Sequence, residues 1–160
     1  MIDFVNEHRS WFIFLHIISA VIWVGGMISM RFAAHYSFVD IVSPQDRLEK
    51  TSAALKRLFT MVLPFVLILA GTGAVLTIAY GIKYTEFHYL THIKEGIWTV
   101  MFINLIAMII RRKKADKAMA EGDFNKARAM LGLIAKYMVP VNIVLGIAAI
   151  FLGAVLRSHL

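Results

Sequence analysis

Four long runs of apolar residues organise this chain, at about 11–34, 58–81, 90–110 and 137–156, and most of its charged residues fall between them. Each run reaches the roughly 20 residues that an α-helix needs to cross about 30 Å of hydrocarbon. The pattern therefore predicts an all-α protein, an integral membrane four-helix bundle that takes up residues 1–160 as one domain. No stretch outside the four helices is long enough to bury a core of its own, so any chemistry must sit among them. The first run ends near Arg31 with no small-residue cleavage site after a short apolar region, and reads as a retained helix rather than a signal peptide.

Charge adds an orientation. Of the 17 Lys and Arg residues, thirteen lie at the end of the first run and in the connections after the first and third, and four lie on the other side (Arg9, Lys83, Lys94 and Arg157). By the positive-inside rule those two connections face the cytoplasm, and both termini lie outside. A basic rim against anionic membrane lipid accounts for the net charge of +7 without nucleic acid as a partner. Within residues 111–136, Ala115, Met119, Phe124, Ala127, Met130 and Leu131 are interspersed among charges, which predicts short amphipathic helices lying on the membrane surface. The chain has no Cys, so disulfides, thiolate ligands and thiol redox chemistry are excluded.

The chain also echoes itself at an offset of 76 residues. His16 and Pro64 match His92 and Pro140, while Ile17, Leu55 and Leu69 match Ile93, Leu131 and Leu145. Chance and a parallel internal repeat about an axis along the membrane normal both account for so few identities. A repeat would set His16 and His92 at equivalent, facing positions.

A histidine within a span is costly to bury and points to a function. Two neutral imidazoles opposed across a bundle suit the axial positions of a haem b and need no Cys. Steps of three and four residues from His16 bring Ala20, Trp23 and Met27 to its face, with Gly26 alongside, leaving a slot for a planar macrocycle or simply a close helix crossing. His88 lies four residues before His92 and could join it on a metal. Arg31, roughly 22 Å from His16 along the axis, could neutralise a carboxylate of a bound substrate or simply reach the inner headgroups, and His35, about 28 Å away, is too far to share a mononuclear site with His16. Lys94, two residues from His92, points to nearly the opposite side of its helix. Met27, Met30 and Met61 are soft ligands that suit copper, and they are also ordinary core fillers. No nucleotide loop, hydrolytic triad or pair of carboxylates occurs within the spans.

These residues resemble the HemJ-like protoporphyrinogen oxidases and the related CopD-like copper-resistance membrane proteins over most of the chain. Phe14 to Gly26 (F-L-H-I-I-S-A-V-I-W-V-G-G) is similar to the His helix of the HemJ type, with Arg31 and His35 near its Arg and second His. Arg57 to Pro64 resembles the start of the family's second helix, and Leu90 to Lys94 (L-T-H-I-K) its L-H-x-K. Met138 and Val139 stand where the family carries Asn-Glu before the proline, and Asn142 is the polar neighbour that remains. The resemblance implies a haem b-binding protein, ligated by His16 and His92, in electron transfer or porphyrinogen oxidation. It implies Arg31 and Lys94 on substrate carboxylates, quinone or another redox protein as electron partner, and a homo-oligomer. Two other readings are copper handling, by His16, His88 and His92 with Met27, Met30 and Met61 (less so His35), and a non-catalytic assembly subunit.

Overall fold

The computed structural model describes residues 2–84, 86 and 88–158; His159, a non-ligand control in the haem reading, lies outside them. After a short helix at Ile2–Glu7 come four long ones, α1 (Arg9–Val39), α2 (Pro44–Ala79), α3 (His88–Ala120) and α4 (Phe124–Ser158). Each is long and apolar enough to cross a membrane. The reason for helices is general: hydrocarbon offers backbone N–H and C=O groups no partner, and a helix satisfies them within one segment.

Apolar side chains face both inward and outward, as expected when both the core and the surrounding lipid are oily. Trp23, Met27, Val62, Val66, Met101, Leu105, Met108 and Val139 fill the centre, whereas Phe14, Val21, Leu67, Ile103, Val144 and Phe151 stay exposed. Between helices the backbones approach at small residues. A Cβ on Gly26 would lie 2.8 Å from Leu58 Cδ1, and one on Gly146 would lie 2.5 Å from Val24 Cγ2. In mid-bundle two amides join α3 to α4. Asn104 Nδ2 donates to Asn142 Oδ1 and to the Met138 carbonyl, both at 2.8 Å, and the fully buried Asn142 donates to the Met101 carbonyl at 3.2 Å.

The helices run to 31, 36, 33 and 35 residues, about a dozen more than a span requires. Most of the surplus lies at the end carrying the α1–α2 and α3–α4 connections. There the amphipathic segment 111–136 does not lie along the membrane as expected. Instead α3 continues without a break to Ala120, turns at Gly122 (φ 78°), and α4 returns beside it. Its apolar residues have a better partner than lipid headgroups, because Ala115, Ala118, Ala127 and Leu131 pack with Leu48 and Leu55 into an extension of the bundle core. Asp123 caps the returning helix by accepting from the Lys126 N–H, and Ser43 does the same for α2 through Asp46. Within the extension the buried Arg112 donates to Asp116 Oδ2 at 2.6 Å, and Ser52 of α2 donates to the other carboxylate oxygen.

Two wider, π-helical turns interrupt this end, at Met30–Ala34 in α1 and Ile134–Met138 in α4. The second precedes Pro140, whose missing N–H and bulky ring disturb the helical ladder just before it.

Charge is uneven along the extension. Beside the apolar band sits a collar of Arg31, Lys56, Arg57, Arg111, Arg112, Lys113, Lys114 and Lys136, with Asp116 as its acid. Farther out, Arg47, Lys50, Lys117, Lys126 and Arg128 are matched by Asp40, Asp46, Glu49, Glu121 and Asp123. The whole net charge of the chain therefore lies in the collar.

Two expected outcomes test this packing. Gly146→Ala should destabilise the detergent-solubilised protein by about 1–3 kcal/mol, because the β-branched Val24 cannot swing clear, whereas Gly96→Ala, with open space beside it, should be neutral or slightly stabilising. Equal melting temperatures for the two variants would count against the close crossing. Arg112→Ala should cost on the order of 1–2 kcal/mol, below the range for a fully buried pair because Asp116 is 42% exposed. Thermal unfolding of that variant alongside Lys113→Ala, which loses the same charge from an exposed position, checks it.

Candidate functional site

A second polar point inside the spans lies toward the end carrying the chain termini, and residues of all four helices line it. His16 descends from α1, and its Nδ1 lies 2.9 Å from the Thr72 hydroxyl of α2. Thr72 is itself committed: its single hydroxyl proton goes back to the Ile68 carbonyl at 2.7 Å, with the Leu69 carbonyl at 3.2 Å. The hydroxyl oxygen is then left to accept, so Nδ1 of His16 carries the proton. Nε2 is thereby the nitrogen with the free lone pair, the arrangement in which a histidine can bind a metal while its other nitrogen is held in orientation.

Two glycines make this possible. A Cβ on Gly73 would come within 3.3 Å of His16 Cε1, so the imidazole lies against bare backbone. Across the bundle, Lys94 of α3 runs along α4 with its Nζ 3.1 Å from where a Cβ of Gly153 would be. Lys94 is close enough to His16 to act on it electrostatically. Among the described residues it has neither a hydrogen bond nor a salt bridge. A half-buried lysine with no acceptor among the described residues, on the same side of the bundle as an imidazole held through Nδ1, suits a ligand that offers both an electrophilic centre and an anionic group.

The other residues singled out from sequence are dispersed. His92 does not meet His16. It points away from the bundle, its side chain 72% exposed, with Nδ1 3.1 Å from Glu95 Oε2 one turn along. His88 is exposed beside it, the two rings edge to face at 5.9 Å. The helical period explains the division, since Lys94, two residues on, takes the inward face that His92 leaves. The notch at Gly26 is filled by Leu58. Trp23 is buried with its Nε1 lacking a hydrogen-bond partner, and Met27 and Met30 are buried in the core, whereas Met61 is exposed. Arg31 and His35 line a cavity of about 10 Å3 at the opposite end with Met30, Thr51, Leu55, Ala135 and Val139, with room for about one water molecule. Among the described residues no group of three or more His, Asp or Glu side chains is placed to hold a metal ion.

Thr72, Gly73 and Gly153 were not evident from sequence. The one signal for the first two is Gly71-Thr72-Gly73 itself, three weak helix formers within an otherwise apolar span. Gly153 gives no signal until α3 and α4 are packed.

The proton assignment can be measured directly. In protein labelled with 15N-histidine, His16 should appear as the tautomer protonated at Nδ1, and Thr72→Val should release it to a mixture of both forms. A His16 resonance protonated at Nε2 in the unaltered protein would remove the free lone pair on which the site rests.

Comparison with family models, with curated proteins and with solved structures gave no match.

Proposed function

We propose that the chain is a haem b-binding protein of the bacterial inner membrane, acting in electron transfer or in HemJ-like oxidation of a porphyrinogen, with His16 as the iron ligand supplied by this chain. The observation that carries this reading is the Nδ1–H···Oγ1 bond from His16 to Thr72, which leaves Nε2 available and the ring fixed in direction. Haem b, when bound, supplies one-electron redox chemistry. The chain's own contribution is to hold the imidazole, to offer the Lys94 ammonium to a carboxylate, and to surround both with a low-dielectric shell that strengthens the pairing.

His92 fits this reading poorly, because it faces away from His16 and is engaged with Glu95. We therefore favour a single histidine ligand, His16, over the bis-histidine pair expected from sequence. Arg31, at the opposite end of α1, is not part of this site; about 22 Å separate it from His16 along the helix. The remaining parts of the reading follow from sequence: both termini on the periplasmic side from the excess of Lys and Arg in the two connections, and quinone or another redox protein as the electron partner. Self-association into a homo-oligomer and descent from a 76-residue parallel repeat belong to the same proposal.

Protein purified from haem-replete membranes should show a haem spectrum that changes on reduction. His16→Ala should lose the bound haem and His92→Ala should keep it. Haem retained equally in both variants would overturn the assignment, whereas loss in both would restore the bis-histidine pair and require α3 to turn about its axis.

A further inference from the structure

The collar of positive charge contains a shaped site. On the outward face of α2, where the helix passes from its polar first half into the apolar run that starts at Leu58, an open groove of about 600 Å3 is lined by Ala53, Lys56, Arg57, Thr60 and Met61. Lys56 and Arg57 are adjacent, and Thr60 follows them by four and three residues, so one helical turn stacks all three donors on one face. All three are exposed. None of them has a hydrogen bond or salt bridge from its side chain to any described residue. Thr60 contrasts with Thr72, Thr77 and Thr99, whose hydroxyls are all spent on the carbonyl four residues back. Below these donors Met61, 48% exposed, continues the groove onto the apolar surface of the helix.

We propose that this groove is a binding site for one anionic phospholipid, whose phosphate lies between the Lys56 ammonium, the Arg57 guanidinium and the Thr60 hydroxyl while its acyl chains run past Met61. The match is one of charge, depth and polarity together. Two cations without an acid between them suit a polyoxygen anion, and the guanidinium and hydroxyl give it direction. The position at the start of the apolar run is where a headgroup phosphate lies when its chains enter the hydrocarbon. A free phosphate would use the same donors but would leave the apolar half of the groove without a partner. The collar's excess of charge favours anionic headgroups all round this end of the bundle; the groove is the point at which one of them is held specifically.

Native mass spectrometry of the full-length protein released from nanodiscs of mixed phosphatidylcholine and phosphatidylglycerol tests this. The unaltered protein should keep one phosphatidylglycerol per chain in preference to phosphatidylcholine. The Lys56→Gln, Arg57→Gln variant should weaken that preference roughly 30-fold. Thr60→Ala should weaken it by a smaller factor, and Lys113→Gln, Lys114→Gln, which removes the same charge from α3, should leave it unchanged. Equal weakening by the two Lys/Arg double variants would reduce the effect to diffuse charge and overturn the site, as would undiminished retention in Lys56→Gln, Arg57→Gln. Displacement of the lipid by inorganic phosphate alone would identify a free-anion site instead.

Discussion

Everything in this protein follows from the demand that backbone hydrogen bonds be satisfied without water. A chain with four apolar runs meets that demand with four helices, and once they are formed the hydrophobic effect gives little reason for them to associate, because lipid tails are as apolar as a neighbouring helix. What brings them together must then be close packing and polar contacts. Both are visible: glycines where α1 crosses α2 and α4, and the amide pair Asn104 and Asn142 joining α3 to α4. The loop end, which extends past the apolar runs, is different. There water restores the hydrophobic drive, and an alanine- and leucine-rich core with a buried Arg112–Asp116–Ser52 cluster closes the extension.

The same constraint gives polar residues within the spans their meaning. A side chain that must be satisfied in hydrocarbon either spends its hydrogen bonds locally or turns inward to find a partner. Thr77 and Thr99 bond to their own helices, and Asn142 reaches the Met101 carbonyl. Among the described residues His16 has a side-chain partner on one nitrogen only, Thr72, and Lys94 has no hydrogen bond or salt bridge. These two incomplete groups, gathered from different helices against two glycines, carry the proposed ligand site.

Much of this was legible in sequence and some of it was not, for physical reasons. The four spans were, because length and apolar continuity decide whether a helix can cross a bilayer. His16 as an inward residue was also legible, since Trp23 and Met27, seven and eleven residues on, form a stripe that proves buried. The direction of His92 was not, because α3 is apolar on all sides below it and offers no stripe by which to orient the helix; its inward face is marked by Lys94, a residue that composition alone assigns to the interface. The fate of 111–136 was misread for a related reason. An amphipathic face states that it needs cover, not whether lipid or another helix supplies it, and the partner, Leu48 and Leu55 of α2, is more than 60 residues away in sequence.

In the proposed reading a single histidine, His16, would hold a haem iron through Nε2 while Nδ1 stays on Thr72. Electron paramagnetic resonance of the ferric protein loaded with one equivalent of haem tests it most directly. A haem held by His16 alone should give a high-spin signal, absent from the His16→Ala variant. A low-spin bis-histidine signal in the unaltered protein, or a signal that His16→Ala leaves unchanged, would contradict it.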